Sequence, residues 1–155
     1  MPRIVREAAV EWRGSLARGS GVATAATGAF ELPVDLPSRV GQTATRTSPE
    51  ELLAAAHATC YALSLAGEVA SAGGDVEQLE VRCTITMNEV SGKGHVIVAS
   101  DIDAKGRVSG LDGDGFRQVA GVADAECPFS ALIRASATVT VQATLDGGEG
   151  GRDGG

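Results

Sequence analysis

A chain of 155 residues, 43% of them hydrophobic, is the right size for one folded domain with an ordinary core. Only 3% of residues are aromatic, so that core must be built from closely packed Ala, Val, Leu and Ile. A formal charge of −7 with 13 scattered basic residues argues against a nucleic-acid partner and against an anionic membrane surface, both of which need clustered Lys and Arg.

Residues 1–14 carry Arg3, Arg6, Glu7 and Glu11 and lack the apolar run of a signal peptide, so a cytoplasmic location is expected. In a reducing compartment the three cysteines do not form a structural disulfide framework by default. Each must be core filler, a metal ligand or a reactive thiol.

Ala8, Val10 and Trp12 alternate with Ala9, Glu11 and Arg13, which predicts a strand, and residues 22–26 can return antiparallel to it across the turn at 14–21. From 32 to 41 the segment holds Pro33 and Pro37 and reads as extended chain or edge strand rather than helix. Ser48, Pro49 and Glu51 then form a helix start, with Ser48 as N-cap, Pro49 in the first position and Glu51 closing a capping box. This helix is expected to run to about Ala72, where Gly73 and Gly74 stop it. The uncharged stretch 52–67 falls short of the roughly 20 apolar residues that span a bilayer. Its apolar residues surround nearly the whole circumference, so it reads as a helix buried on most sides, which one small chain can hardly achieve alone.

Leu79, Val81, Cys83, Ile85 and Met87 alternate with polar residues, predicting a strand with Cys83 facing the core. A second strand near 95–104 follows the turn 91–94 as an antiparallel partner. Phe116, Val119, Ala120 and Ala123 have helical spacing, and Cys127-Pro128 looks like the start of another short helix through Ile133. Residues 137–145 alternate again as a closing strand. Residues 1–145 are therefore expected to form a single α+β domain, and 146–155, Gly-rich and acidic, a disordered tail.

Cys60, in the middle of an apolar helix, reads either as a small hydrophobe or as a reactive thiol. Cys127 sits where a helix dipole and free N–H groups favour thiolate, and an unreactive cap is the alternative. Cys83 reads as filler. Glu50 is not used by the capping box and either stabilises the dipole or points to a partner. Arg39 either lies on the surface or pairs with a carboxylate. His57, three residues before Cys60, is a base, a metal ligand or a hydrogen-bonded helical histidine.

The run Ser48-Pro-Glu-Glu-Leu-Leu-Ala-Ala-Ala-His-Ala-Thr-Cys60 resembles the helix motif of the OsmC/Ohr peroxidase family, and Cys127-Pro128-Phe129-Ser130 resembles that family's second cysteine motif. Trp12-Arg13-Gly14 and Arg18-Gly19-Ser20-Gly21 match as well, so the resemblance covers about residues 8–145. It implies an OsmC-like fold of antiparallel sheets around two central helices in an intertwined homodimer. It further implies that Cys60 is the peroxidatic cysteine, Cys127 the resolving one, Arg39 the thiolate-stabilising cation and Glu50 the residue that orients it. In the Ohr branch that cation comes from the first hairpin, where Arg18 stands; Ser38-Arg39 and His57 look like the OsmC branch. The substrate would be an organic hydroperoxide, with no metal or bound cofactor, and the reductant an external dithiol, for this family a lipoyl group or lipoylated protein.

Glu50 and Cys60 are ten residues apart on one helix, roughly 15 Å along its axis, which suggests a site shared between two subunits. Local electrostatics favour Cys127 as the more activated thiol, whereas the resemblance gives that role to Cys60. Two other readings compete: a zinc protein using Cys60, His57 and Cys127, whose spacing lacks a CxxC or HxxxH pair, and a non-catalytic, stress-associated small-molecule binding protein of the same fold.

Overall fold

The computed structural model describes residues 2–146. The chain divides into two compact units, one up to Leu52 and one from Leu53 onward. In the first unit, β1 (Ala8–Arg13), β2 (Ser20–Ala25) and β3 (Glu31–Val34) form an antiparallel sheet in that order. The hairpin joining β1 to β2 turns at Gly14, whose φ of 94° suits a residue without a Cβ, and Trp12 Nε1 donates to the Gly14 carbonyl at 2.9 Å.

The segment after β3 departs from the sequence expectation. Leu36–Val40 is a short helix, α1, rather than extended chain. Asp35 is its N-cap, accepting from Ser38 N–H at 2.8 Å, and Pro37 lies in the first turn, where a missing N–H costs nothing. Pro37 is thus a helix-start residue, while Pro33 lies in edge strand β3, as expected.

Helix α2 (Pro49–Ser71) begins as expected with Ser48 Oγ accepting from Glu51 N–H at 3.1 Å, whereas the Glu51 carboxylate, expected to close a capping box, accepts from Thr47 Oγ1 at 2.8 Å. It ends where Gly73, at φ 87°, lets its own N–H reach the Ala70 carbonyl and that of Gly74 reach Val69. The helix is 23 residues long, enough by length and composition alone to cross a membrane, although its ends add Glu50, Glu51 and Glu68 to the uncharged stretch. Within one chain it buries only the stripe His57, Tyr61, Leu65 and Val69, spaced every four residues; Leu63 is 73% exposed.

In the second unit, β4 (Asp75–Val90) and β5 (Gly94–Ser109) pair antiparallel over 16 residues each, longer than the apolar alternation marks. Helix α3 (Gly113–Glu126) lays Phe116, Val119, Ala120 and Ala123 on the core, and α4 (Pro128–Arg134) follows directly. Strand β6 (Thr138–Leu145) runs parallel to β5, from Ala99 opposite Thr138 to Gly106 opposite Leu145, so this sheet is mixed where antiparallel strands were expected. The reason is topological: a strand returning after a helical crossover enters the sheet in the same direction as the strand it left. Asp146, placed in the expected tail, donates its N–H to the Gly106 carbonyl at 2.7 Å; the rest of that tail, 147–155, lies outside the described residues. The mixture of two sheets and four helices is the α+β class expected.

Candidate redox site

Four residues singled out in the sequence fall into two pairs, one in each unit. In the first unit, Arg39 stands in the last turn of α1 and Glu50 in the first turn of α2. Arg39 Nε donates to Glu50 Oε1 at 3.1 Å and Nη2 to Oε2 at 2.8 Å, a two-point fork. The Glu50 carboxylate pushes the Arg39 guanidinium still further towards the charged form. Arg39 is nevertheless 41% exposed in its side chain, so pairing and surface exposure are both realised. Its helix is anchored from two sides, since Ser38 Oγ accepts from Arg46 N–H at 3.2 Å while Arg46 Nε lies 3.5 Å from Asp35. Ser38's N–H and hydroxyl, aided by Arg46, hold the Asp35 carboxyl below the ordinary value. Arg18 lies exposed in the first hairpin, with its backbone N–H on Ser15 Oγ at 3.2 Å.

In the second unit, the sulfurs of Cys60 and Cys127, 67 residues apart in sequence, are 3.4 Å apart, and both are free thiols. Cys60 comes from α2 and is partly buried; Cys127 is fully buried as the N-cap of α4. Ser130 N–H donates to Cys127 Sγ at 3.5 Å. Burial pushes the Cys60 thiol above its ordinary pKa, the Cys127 thiol adds to that, and the backbone N–H of Phe129 opposes it. The free N–H groups at the start of α4 thus serve both sulfurs, Ser130 facing Cys127 and Phe129 facing Cys60.

His57 is fully buried behind the pair, with Nδ1 2.6 Å from Ser100 Oγ and Nε2 2.8 Å from Ser130 Oγ. Burial pushes its pKa down, so the ring is held neutral. Cys83 packs against the core as its strand pattern requires, but its sulfur also lies 3.2 Å from Ser100 Oγ. Ser130 belongs to the Cys127-Pro128-Phe129-Ser130 run without a role being read for it, and Ser100 does not stand out in the sequence, because a single serine in a strand carries no pattern. Among the described residues, no group of three or more His, Cys, Asp or Glu side chains is placed to hold a metal ion. A cleft of about 460 Å³ lies between α3 and β6, lined by Arg117, Asp124 and Gln142 among others, and is not lined by either thiol.

Two thiols held in contact at a helix start by an α+β frame define a dithiol centre. The chain belongs to the OsmC-like protein family, whose profile matches residues 41–142. It is 26% identical over 140 residues to Peroxiredoxin OsmC of Escherichia coli strain K12, covering 90% of this chain and 96% of that protein. Among solved structures it is similar to an organic hydroperoxide resistance protein OsmC from Legionella pneumophila, at TM-score 0.74 and 19% identity, covering 92% of this chain and 99% of that one. An organic hydroperoxide resistance protein from Elizabethkingia anophelis gives TM-score 0.75 and 18% identity, over 94% and 100% of the two chains. Organic hydroperoxide resistance protein OhrB of Bacillus subtilis gives 0.69 and 23%, over 89% and 98%. These structural likenesses establish the fold.

Proposed function

We propose that this chain is a cysteine-based peroxidase that reduces organic hydroperoxides through Cys60 and Cys127. The observation that carries the reading is the 3.4 Å separation of the two free sulfurs. The name of the Escherichia coli relative and those of the structural neighbours support the peroxide chemistry.

In the first step the Cys60 thiolate attacks the distal peroxide oxygen. The O–O bond breaks as an S–O bond forms, the sulfur is oxidised to sulfenic acid, and the alkoxide leaves with a proton as the alcohol. Because burial raises the Cys60 pKa, the site needs a cation as well as the Phe129 N–H to favour thiolate. Arg39, with Glu50 holding its guanidinium by two bonds, is the group assigned to that task. In the second step Cys127 attacks the Cys60 sulfur, an S–S bond forms, and the leaving hydroxide takes the Cys127 proton to become water. An external dithiol, of which a lipoyl group is one form, then reduces the disulfide and is itself oxidised. The reaction written this way calls on neither metal nor prosthetic group.

Residues 1–145 are assigned to one domain working within an intertwined homodimer in the cytoplasm, without nucleic-acid or membrane partners. The uncovered apolar residues of α2, Leu63 above all, support the dimer.

Free-thiol titration before and after one equivalent of an organic hydroperoxide tests the reading. Loss of two thiols per chain, abolished in Cys60→Ser, is expected; an unchanged count overturns it.

A further inference from the structure

Both ring nitrogens of buried His57 are engaged by hydroxyls from distant parts of the fold, Ser100 on β5 and Ser130 on α4. Cys83 on β4 extends the row beyond Ser100. Ser130 closes the other end, because the same residue whose hydroxyl meets His57 sends its backbone N–H to Cys127 Sγ. We propose that His57 and Ser130 are positioning residues for disulfide closure: their hydrogen bond holds the amino end of α4 at the depth where the Cys127 sulfur meets Cys60. The proposal rests on the peroxidase reading only where peroxide supplies the oxidant.

A seven-residue helix is too short to hold its own place. The carboxyl end of α4 is tied by Arg134 to Asp124 of α3 at 2.7 Å. At the amino end, Cys127 N–H reaches the Asp124 carbonyl at 3.3 Å, the Phe129 N–H faces Cys60 and its side chain packs on the core, and the Ser130 hydroxyl on His57 is the side-chain hydrogen bond that ties this end to α2. A neutral imidazole offers one donor and one acceptor, so the row has two consistent directions. In one, Ser100 donates to Nδ1 and Nε2–H donates to Ser130; in the other, Ser130 donates to Nε2 and Nδ1–H to Ser100, whose hydroxyl then faces the Cys83 sulfur. Both directions engage both ring nitrogens. Burial, which holds His57 neutral, keeps this pattern in place. The sulfurs must close from 3.4 Å to roughly 2.05 Å when the bond forms. A misplacement of about 1 Å in a reacting pair costs on the order of 10²-fold in rate, so freeing the amino end of α4 should slow closure by about tenfold or more.

Ser130→Ala removes the hydroxyl and keeps the backbone N–H; Ser130→Thr keeps both. Closure is read as the Cys60–Cys127 linked peptide by mass spectrometry, in two arms. In the first, one equivalent of organic hydroperoxide is added and the surviving sulfenic acid is trapped with a 1,3-diketone at timed intervals. In the second, diamide is the oxidant: two S–H bonds break, the S–S bond forms, and the N=N bond is reduced to HN–NH. The expected result is an about tenfold longer sulfenic acid lifetime and comparably slower diamide closure in Ser130→Ala, both returned towards wild type in Ser130→Thr. His57→Gln, which retains a donor and an acceptor, should lie between. Diamide closure at the wild-type rate in Ser130→Ala overturns the proposal, as does a Ser130→Thr variant as slow as the alanine one. If no hydroperoxide yields sulfenic acid in the wild-type protein, the peroxidase reading fails, while the diamide arm still decides the positioning role.

Discussion

Arg39 and Glu50 meet through two parallel hydrogen bonds, 3.1 and 2.8 Å long, that only a guanidinium can make. The fork fixes the plane of the cation as well as its place. Arg39→Ala should lower peroxide reduction by roughly 10²–10³-fold, the usual loss when a charge-stabilising donor is removed. Arg39→Lys should recover little of it, since an ammonium keeps the charge and loses the fork. Steady-state peroxide consumption measures both. Full activity in Arg39→Ala, with loss in Arg18→Ala, would transfer the role to the first hairpin.

The two thiols should be separable by the product at which each variant stops. Cys127→Ser is expected to consume about one equivalent of peroxide and halt at a Cys60 sulfenic acid that a diketone traps. Cys60→Ser should yield no sulfenic acid at residue 127. Mass spectrometry of the trapped adducts decides the direction, and an adduct on Cys127 in the Cys60→Ser chain would reverse the assignment.

Stability should depend on pH through His57. Burial, assisted by the Arg134 charge and opposed by Asp124, lowers its folded-state pKa from 6.5. The unfolded chain therefore takes up a proton before the folded chain does, and unfolding binds protons in the interval between. The contribution is intact above about pH 6.5 and is lost as pH falls through the folded value. Melting temperature should drop between about pH 7 and pH 5 more steeply in the wild-type protein than in His57→Gln. Equal slopes would show that the buried ring does not govern the acid limb.

Gly106 on β5 is required by contact. A Cβ there would lie 2.5 Å from Phe116 Cζ and 2.7 Å from Cε1, and Phe116 is fully buried. Gly106→Ala should destabilise the fold by about 1–3 kcal/mol through overpacking, roughly 2–10 °C in melting temperature for a chain of this size. Differential scanning calorimetry checks it.

Leu63, 73% exposed in the single chain, lies off the stripe that α2 buries. In a homodimer that covers this helix, Leu63→Glu should shift sedimentation from about twice the chain mass of 15.6 kDa towards the single-chain value. A wild-type protein that sediments as one chain would remove the dimer from the proposal.

Much of this architecture is legible along the chain because local chemistry writes it there. Ser48 and Pro49 mark the start of α2, Gly73 and Gly74 its end, and Phe116 to Ala123 the buried face of α3. What escaped has physical reasons. Helix α1 was hidden because Pro37 suits an extended segment and a helix start equally; Asp35 two residues earlier was the signal that separates them. The direction of β6 is invisible to a period of two, which is the same in parallel and antiparallel strands. The outer residues of β4 are mostly polar, so pairing extends where alternation stops. The meeting of Cys60 with Cys127 could be read only by resemblance, since nothing local reports a contact across 67 residues. Ser130 is legible as part of the second cysteine motif, but its contact with His57 is not, and Ser100 carries no signal.

The parallel course of β6 has a last consequence. An antiparallel neighbour can be reached by a turn of a few residues, whereas a parallel one demands a bridge over the face of the sheet. In this sheet that bridge is α3 followed by α4, and Cys127 stands at the joint between them. The sulfur that completes the pair is therefore carried on the bridge itself, so a change in the course of that bridge moves the thiol together with the strand it delivers.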